Sequence, residues 1–140
     1  MRADAQLFIH VLAATALFGA TGAVAVLGFA ARRRADRRPL AGAAFWTLLL
    51  LVLPAWALTL AFGEWTRSRE HWPDDISWIG IGYAVADGGL ILLLVTTAVA
   101  WWWTRHTEAG WPAPAIAALA SLYLVALGVA WWVMTAKVPT

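Results

Sequence analysis

Two polar residues, His10 and Asp87, lie within long runs of apolar residues and are the first candidates for chemistry. An imidazole inside an apolar helix can ligate haem iron or another metal, relay a proton, or hydrogen-bond to a neighbouring helix. An aspartate at such a position must be neutral, paired or hydrated, because a charged carboxylate at the centre of a bilayer costs about 2.5–3.5 kcal/mol. Each residue therefore has a structural and a functional interpretation.

His10 is expected on a small, apolar helix face with room beside it for a flat ligand such as a porphyrin. Its imidazole would then be an axial ligand of haem b or a ligand of another metal, whereas the alternative is a hydrogen bond that packs two helices together. His71 is the other histidine expected on the same side of the membrane, so a paired-imidazole site would use it. The residues that share the face of His10 by helical spacing are Ala13, Ala14, Leu17, Thr21 and Val24.

Asp87 is expected near the bilayer midplane, about 16 Å from the outer end of its apolar run at helical rise. No Lys or Arg occurs at a matching depth in the sequence. Its expected hydrogen-bond partners are Thr21, Ser121, Tyr83 four residues before it, or a backbone carbonyl freed by Pro54. Two roles stay open, a proton- or ion-handling group and a polar clasp between helices.

The composition places these residues in a membrane protein. The 140 residues are 62% hydrophobic and 13% charged, far from the usual composition of soluble domains. The absence of Cys excludes disulfides, Cys-ligated zinc, iron–sulfur clusters and covalent haem attachment. The basic residues flank apolar runs, so membrane orientation and anionic lipid headgroups explain them, and we expect no nucleic-acid partner.

Four apolar runs predict an all-α polytopic membrane protein, an antiparallel four-helix transmembrane bundle that forms one domain over residues 1–140. Half of the ten Lys and Arg residues lie in residues 32–38, directly after the first run. Because positively charged loops stay inside, this cluster predicts both termini on the outer face of the plasma (inner) membrane. The predicted helices cover residues 7–31, 40–63, 76–103 and 115–136.

Two short patches carry a resemblance to known families. Around His10, "LFIHVLAATALFGATG", and at the C-terminus, "WWVMTAKVPT", the chain resembles small four-helix integral membrane proteins of unknown function. The first helix is also similar to that of copper-resistance D-type proteins and of the membrane protoporphyrinogen oxidase that binds haem b. The resemblance implies that His10 is an axial haem ligand and Lys137 an outer-face polar contact. A Thr-Gly-rich segment replaces the oxidase pattern after His10, so we expect no enzymatic activity.

Three functions follow from these observations. The first is a non-enzymatic accessory subunit that holds haem b near the outer face through His10. The second is a proton-coupled carrier of a small solute or ion that uses Asp87. The third is an assembly or scaffold subunit. The expected partners are the lipid bilayer and either another membrane protein or further copies of this chain.

Overall fold

The computed structural model of the protein describes residues 5–71 and 77–136, most of which form α-helices, with one π turn among them. Four helical spans are long and apolar enough to cross a membrane. The predicted all-α bundle is therefore confirmed, and the chain is a multi-pass membrane protein. The elements are α1 (Ala5–Ala31), α2 (Arg38–Thr47), the π turn (Leu48–Val52), α3 (Leu53–Glu70), α4 (Ser77–Arg105) and α5 (Pro112–Ala136).

The bundle has two ends that differ in composition. The arginine end consists of the connections at residues 32–37 and 106–111, and the opposite end, called here the terminal end, is where α1 begins and α5 ends. Residues 72–76, which include the start of the predicted third helix, and Lys137 lie outside the described residues.

The second span is longer at both ends than the apolar run 40–63 predicts. It begins two residues earlier because Pro39, which lacks an N–H group, fits the first turn of a helix. It also continues for two turns beyond the run, where Glu64 and Arg67 form an ion pair at 2.7 Å one helical turn apart. Polar residues are compatible with a helix that extends beyond the hydrocarbon, so hydropathy alone predicts its end too early.

The π turn ends two residues before Pro54, the proline from which the sequence predicts a freed backbone carbonyl. The proline has no N–H to donate, which removes one bond of the regular α-helical pattern. In the π turn, the N–H of Leu53 bonds to the carbonyl of Leu48, one residue further back than in an α-helix. The extra residue in this turn changes the direction of every side chain that follows in α3.

The helices do not all contact one another. Helix α1 contacts α5 along one side and the second span along another, while α4 packs on α5 and on α2 and makes no contact with α1 in the described part of the chain. The second span changes neighbours at the π turn, because α2 lies against both α1 and α4 whereas α3 lies mainly on α1. Long side chains connect α3 to α4: the Trp56 indole reaches the backbone of Ala86, and the Arg67 guanidinium lies 5.7 Å from the centre of the Tyr83 ring.

Close backbone contact holds α1 against α5. Gly28 is buried, and a Cβ atom added to it would lie 2.8 Å from the backbone nitrogen of Ala117 and 2.9 Å from the carbonyl oxygen of Ala113. Lipid tails are as apolar as leucine, so helices in a bilayer associate through such packing rather than through the hydrophobic effect. Only glycine permits this approach.

Gly28→Ala should therefore force α1 and α5 apart, since the obstructing atoms belong to backbone. We expect a loss of about 1–3 kcal/mol, measured as a lower thermal unfolding midpoint in detergent. Gly22→Ala is the matched control on the same helix, because a Cβ there meets no atom within 4 Å. Equal unfolding midpoints for the two variants would contradict this packing.

Candidate intramembrane polar site

The His10 ring connects α1 to α3. Its Nδ1 atom lies 2.7 Å from the carbonyl oxygen of Thr59, and the ring rests on Gly63, where a Cβ would come within 2.9 Å of Cε1. A carbonyl oxygen can only accept a hydrogen bond, so Nδ1 carries the proton and donates it. In the neutral ring, Nε2 then holds the free lone pair, which is the arrangement found in metal-ligating histidines.

The apolar face expected to hold a porphyrin beside His10 is filled by neighbouring helices. Ala13 is buried, and Leu17, Thr21 and Val24 are exposed by 1% or less. A flat ligand on this face would have to displace the packing of α1 against its neighbours. The fit to haem is therefore limited to one donor atom, Nε2 of His10.

His71 lies at the end of α3 in the left-handed backbone conformation, with a φ of 53°. Its side chain is exposed, and its Nδ1 lies 3.0 Å from the carbonyl oxygen of Arg69. The carbonyls bound by His10 and His71 are ten residues apart on α3, about 15 Å at helical rise. Among the described residues, no three His, Asp or Glu side chains form a group that could hold a metal ion.

Asp87 lies on the outward face of α4. The buried residues of this helix, such as Gly89, Leu93 and Thr96, occupy the opposite side, and the Asp87 side chain is exposed. It is ten residues from the start of α4, about 15 Å at helical rise. The carboxylate therefore faces outward from the bundle, one helical turn from Tyr83, whose ring lies 5.7 Å from the Arg67 guanidinium.

None of the hydrogen-bond partners expected for Asp87, including a carbonyl freed by Pro54, bonds to it within the described residues. The Thr21 hydroxyl is fully buried and donates to the carbonyl of Leu17 at 2.7 Å. Tyr83 lies beside Arg67, and Ser121 is a half-buried residue of α5. Within residues 5–71 and 77–136, no side chain or backbone group hydrogen-bonds or ion-pairs with the Asp87 carboxylate.

Most other polar side chains in the spans have a partner. The Trp56 indole donates to the carbonyl of Ala86 at 2.9 Å, joining α3 to α4 one residue before Asp87. Where the structure is described, the buried indole N–H of Trp103 has no partner. Threonine hydroxyls donate to the carbonyl four residues earlier at Thr15, Thr21, Thr59, Thr66, Thr96, Thr97 and Thr135.

Three residues of this arrangement were not predicted from the sequence. Thr59 and Gly63 hold the imidazole, and Ala86 accepts the indole N–H. A glycine four residues after a threonine is a weak pattern by itself. The pattern indicates a histidine contact only when the structure shows that α3 lies beside α1.

Comparisons with protein-family models, curated proteins and solved structures find no match for this chain. The function is therefore argued from the geometry of its own residues.

Gly63→Ala should displace the His10 ring, because its Cβ would overlap both Cε1 and Nδ1. We expect a lower thermal unfolding midpoint from overpacking together with the lost hydrogen bond. In a His10→Ala background the same change should be neutral or stabilising, since alanine favours a helix over glycine by up to about 1 kcal/mol.

A double-mutant cycle measures this coupling. Gly42→Ala is the control, because a Cβ at that position meets no atom within 4 Å and its effect should be the same with or without His10. An identical cost of Gly63→Ala in both backgrounds would show that the imidazole does not rest on Gly63.

Proposed function

We propose that this protein is a non-enzymatic accessory subunit that assembles with another membrane protein through the outward face of α4. The observation that supports this most strongly is Asp87. Its carboxylate faces outward from an apolar span and has no partner among the described residues. Facing lipid, a charged aspartate would cost about 2.5–3.5 kcal/mol, and a partner helix removes that cost.

The residues around Asp87 suit a second helix. Gly80, Ala84 and Gly88 are exposed at intervals of four on the same side of α4, and a Cβ at either glycine meets no atom within 4 Å. Small residues at this spacing let two helix backbones approach closely in a bilayer. Ile91, 67% exposed, extends the surface by one turn. We call these five residues, including Asp87, the α4 docking face.

Charge complementarity favours a different protein over a second copy of the chain. The apolar runs 7–31, 40–63, 76–103 and 115–136 contain no Lys or Arg. A symmetric dimer through the α4 docking face would place Asp87 against its own copy. We therefore propose a partner helix that carries a basic side chain at the level of Asp87.

A carrier function for Asp87 would depend on the same assembly. Transport requires a path lined by the carboxylate, and Asp87 lies outside the bundle rather than between its helices. Such a path would form only where a second protein covers α4. Both the accessory function and the carrier function therefore require that another protein binds α4.

Site-specific photo-cross-linking in native membranes tests the assembly. A photoreactive residue at Ala84 or Ile91 should give one discrete adduct with another protein, and Asp87→Leu should abolish it. The same probe at Val125, which is 65% exposed on α5, is the control and should give no discrete adduct. An adduct of twice the chain's mass, or one that persists in Asp87→Leu, would rule out the proposed interface.

A second measurement separates loss of assembly from loss of folding. Because Asp87 makes no bond within the described chain, purified Asp87→Leu should unfold at the same temperature as the parent protein or at a higher one. Once the adduct is identified, replacing the partner's basic residue by leucine should remove the cross-link as well. A lower unfolding midpoint for Asp87→Leu would assign the carboxylate a structural role inside the chain.

Haem binding is a second candidate function, and one observation favours it. The bond from Nδ1 to Thr59 leaves the Nε2 lone pair of His10 available for an iron or another metal. Protein purified after expression with added haem should then show a Soret band that His10→Ala removes and that His106→Ala keeps. If the purified protein shows no Soret band, His10 does not bind haem, and its role is to connect α1 to α3.

We further propose that the arginine end faces the cytoplasm and that the membrane is the plasma membrane, with both termini outside. The basic residues at 32–38 and Arg105 support this orientation through the positive-inside rule. A reporter enzyme that is active only outside the cytoplasm should be active when fused to the C-terminus. An inactive reporter would show that the orientation is the opposite of the one proposed.

A further inference from the structure

A cleft lies between the two connections at the arginine end. The Arg37 side chain joins these connections, since its Nη1 atom donates to the carbonyl of Ala109 at 3.2 Å. The cleft is open to the surroundings and has a volume of about 470 Å³. It is lined by Ala35, Asp36, Arg37, Arg38, Thr107 and Glu108.

Its charged side chains do not neutralise one another. Two arginines, Arg37 and Arg38, and two acidic residues, Asp36 and Glu108, line the same space. None of the four forms an ion pair within 4 Å with another residue in the described part of the chain. Asp36 instead accepts a hydrogen bond from the backbone N–H of Arg38 at 3.2 Å, which fixes the carboxylate at the edge of the cleft.

The cleft lies where the bundle meets the headgroup layer. Nearby, the Trp102 ring stacks on His106 with 4.1 Å between ring centres and lies 5.1 Å from the Trp111 ring. The Arg105 guanidinium lies 4.3 Å above the ring of Trp101. Clustered tryptophans beside basic residues at the end of a span are typical of the membrane interface.

We propose that this cleft binds the headgroup of a phospholipid that carries both a phosphate and a primary ammonium, as phosphatidylethanolamine does. The guanidinium groups of Arg37 and Arg38 donate to the phosphate oxygens, and the carboxylates of Asp36 and Glu108 accept the ammonium N–H bonds. A headgroup with only a negative charge would leave both carboxylates without a partner. A trimethylated headgroup has no N–H to donate to them.

Native mass spectrometry of the purified full chain tests this with three lipids of identical acyl chains. Phosphatidylethanolamine should be retained about tenfold more strongly than phosphatidylcholine or phosphatidylglycerol, as expected for lost charged hydrogen bonds. Equal retention of phosphatidylethanolamine and phosphatidylcholine would overturn the proposal, as would preferred retention of phosphatidylglycerol.

Charge-neutralising variants test which lipid group the acidic pair and the arginine pair of the cleft each bind. Asp36→Asn combined with Glu108→Gln should remove the preference for phosphatidylethanolamine over phosphatidylglycerol, and Arg37→Gln with Arg38→Gln should weaken retention of both. Glu64→Gln with Arg69→Gln, outside the cleft on α3, is the control. It should change neither the preference for phosphatidylethanolamine nor the retention of either lipid.

Two further outcomes would contradict the proposal. One is a preference for phosphatidylethanolamine that survives Asp36→Asn with Glu108→Gln. The other is displacement of the lipid by an equal concentration of soluble phosphoethanolamine, which would make the ligand a dissolved phosphoester rather than a membrane lipid. The exposed positions of Asp36 and Glu108 make folding defects easy to separate, since their variants should keep the parent's unfolding midpoint.

Discussion

The constraint on which this structure depends is that a polar group in the hydrocarbon of a bilayer has no water to bind. Thr21 and Thr96 meet it by bonding back to their own helices, and His10 and Trp56 by bonding to the backbone of a neighbouring helix. Asp87 differs from these residues, since it is exposed on an apolar span and has no partner in the described chain. The indole N–H of Trp103 also has no partner there, but it is buried inside the bundle, whereas the Asp87 carboxylate lies outside it and marks the surface that we propose another protein covers.

The packing of the bundle follows from a second property of the bilayer, the lack of a hydrophobic force between helices. Gly28 lets α1 approach the backbone of α5, and Gly63 provides the space in which the His10 ring lies against α3. Pro54 and the π turn before it redirect α3 toward α1, so α3 meets α4 mainly through long side chains. The outward side of α4 takes no part in the packing inside the bundle, and we propose it as the interface.

Sequence reasoning predicted the spans because hydropathy is a local property, and it identified Pro54 as a disturbance of the helical bonding because a missing N–H is local as well. It ended the second span too early, since Glu64 and Arg67 are polar residues that continue the helix past the apolar run. The depth of Asp87 in the bilayer stays a prediction counted along the chain, and the direction of its side chain could not be predicted. That direction depends on which face of α4 meets α5 and α2, and neighbours such as Gly63 for His10 depend on the order of helices in the bundle.

The most direct test of this account is a measurement of where the Asp87 side of α4 points when the protein is alone in a bilayer. The chain has no native cysteine, so single spin labels can be placed at Ile91→Cys and, as a buried reference, at Leu93→Cys. We predict that the label at position 91 is mobile and collides readily with dissolved oxygen but little with a water-soluble nickel complex, whereas the label at position 93 is immobile and shielded from both. A shielded label at position 91, or one readily reached by the nickel complex, would show that this face lies inside the bundle or lines a water-filled path, and would contradict the account.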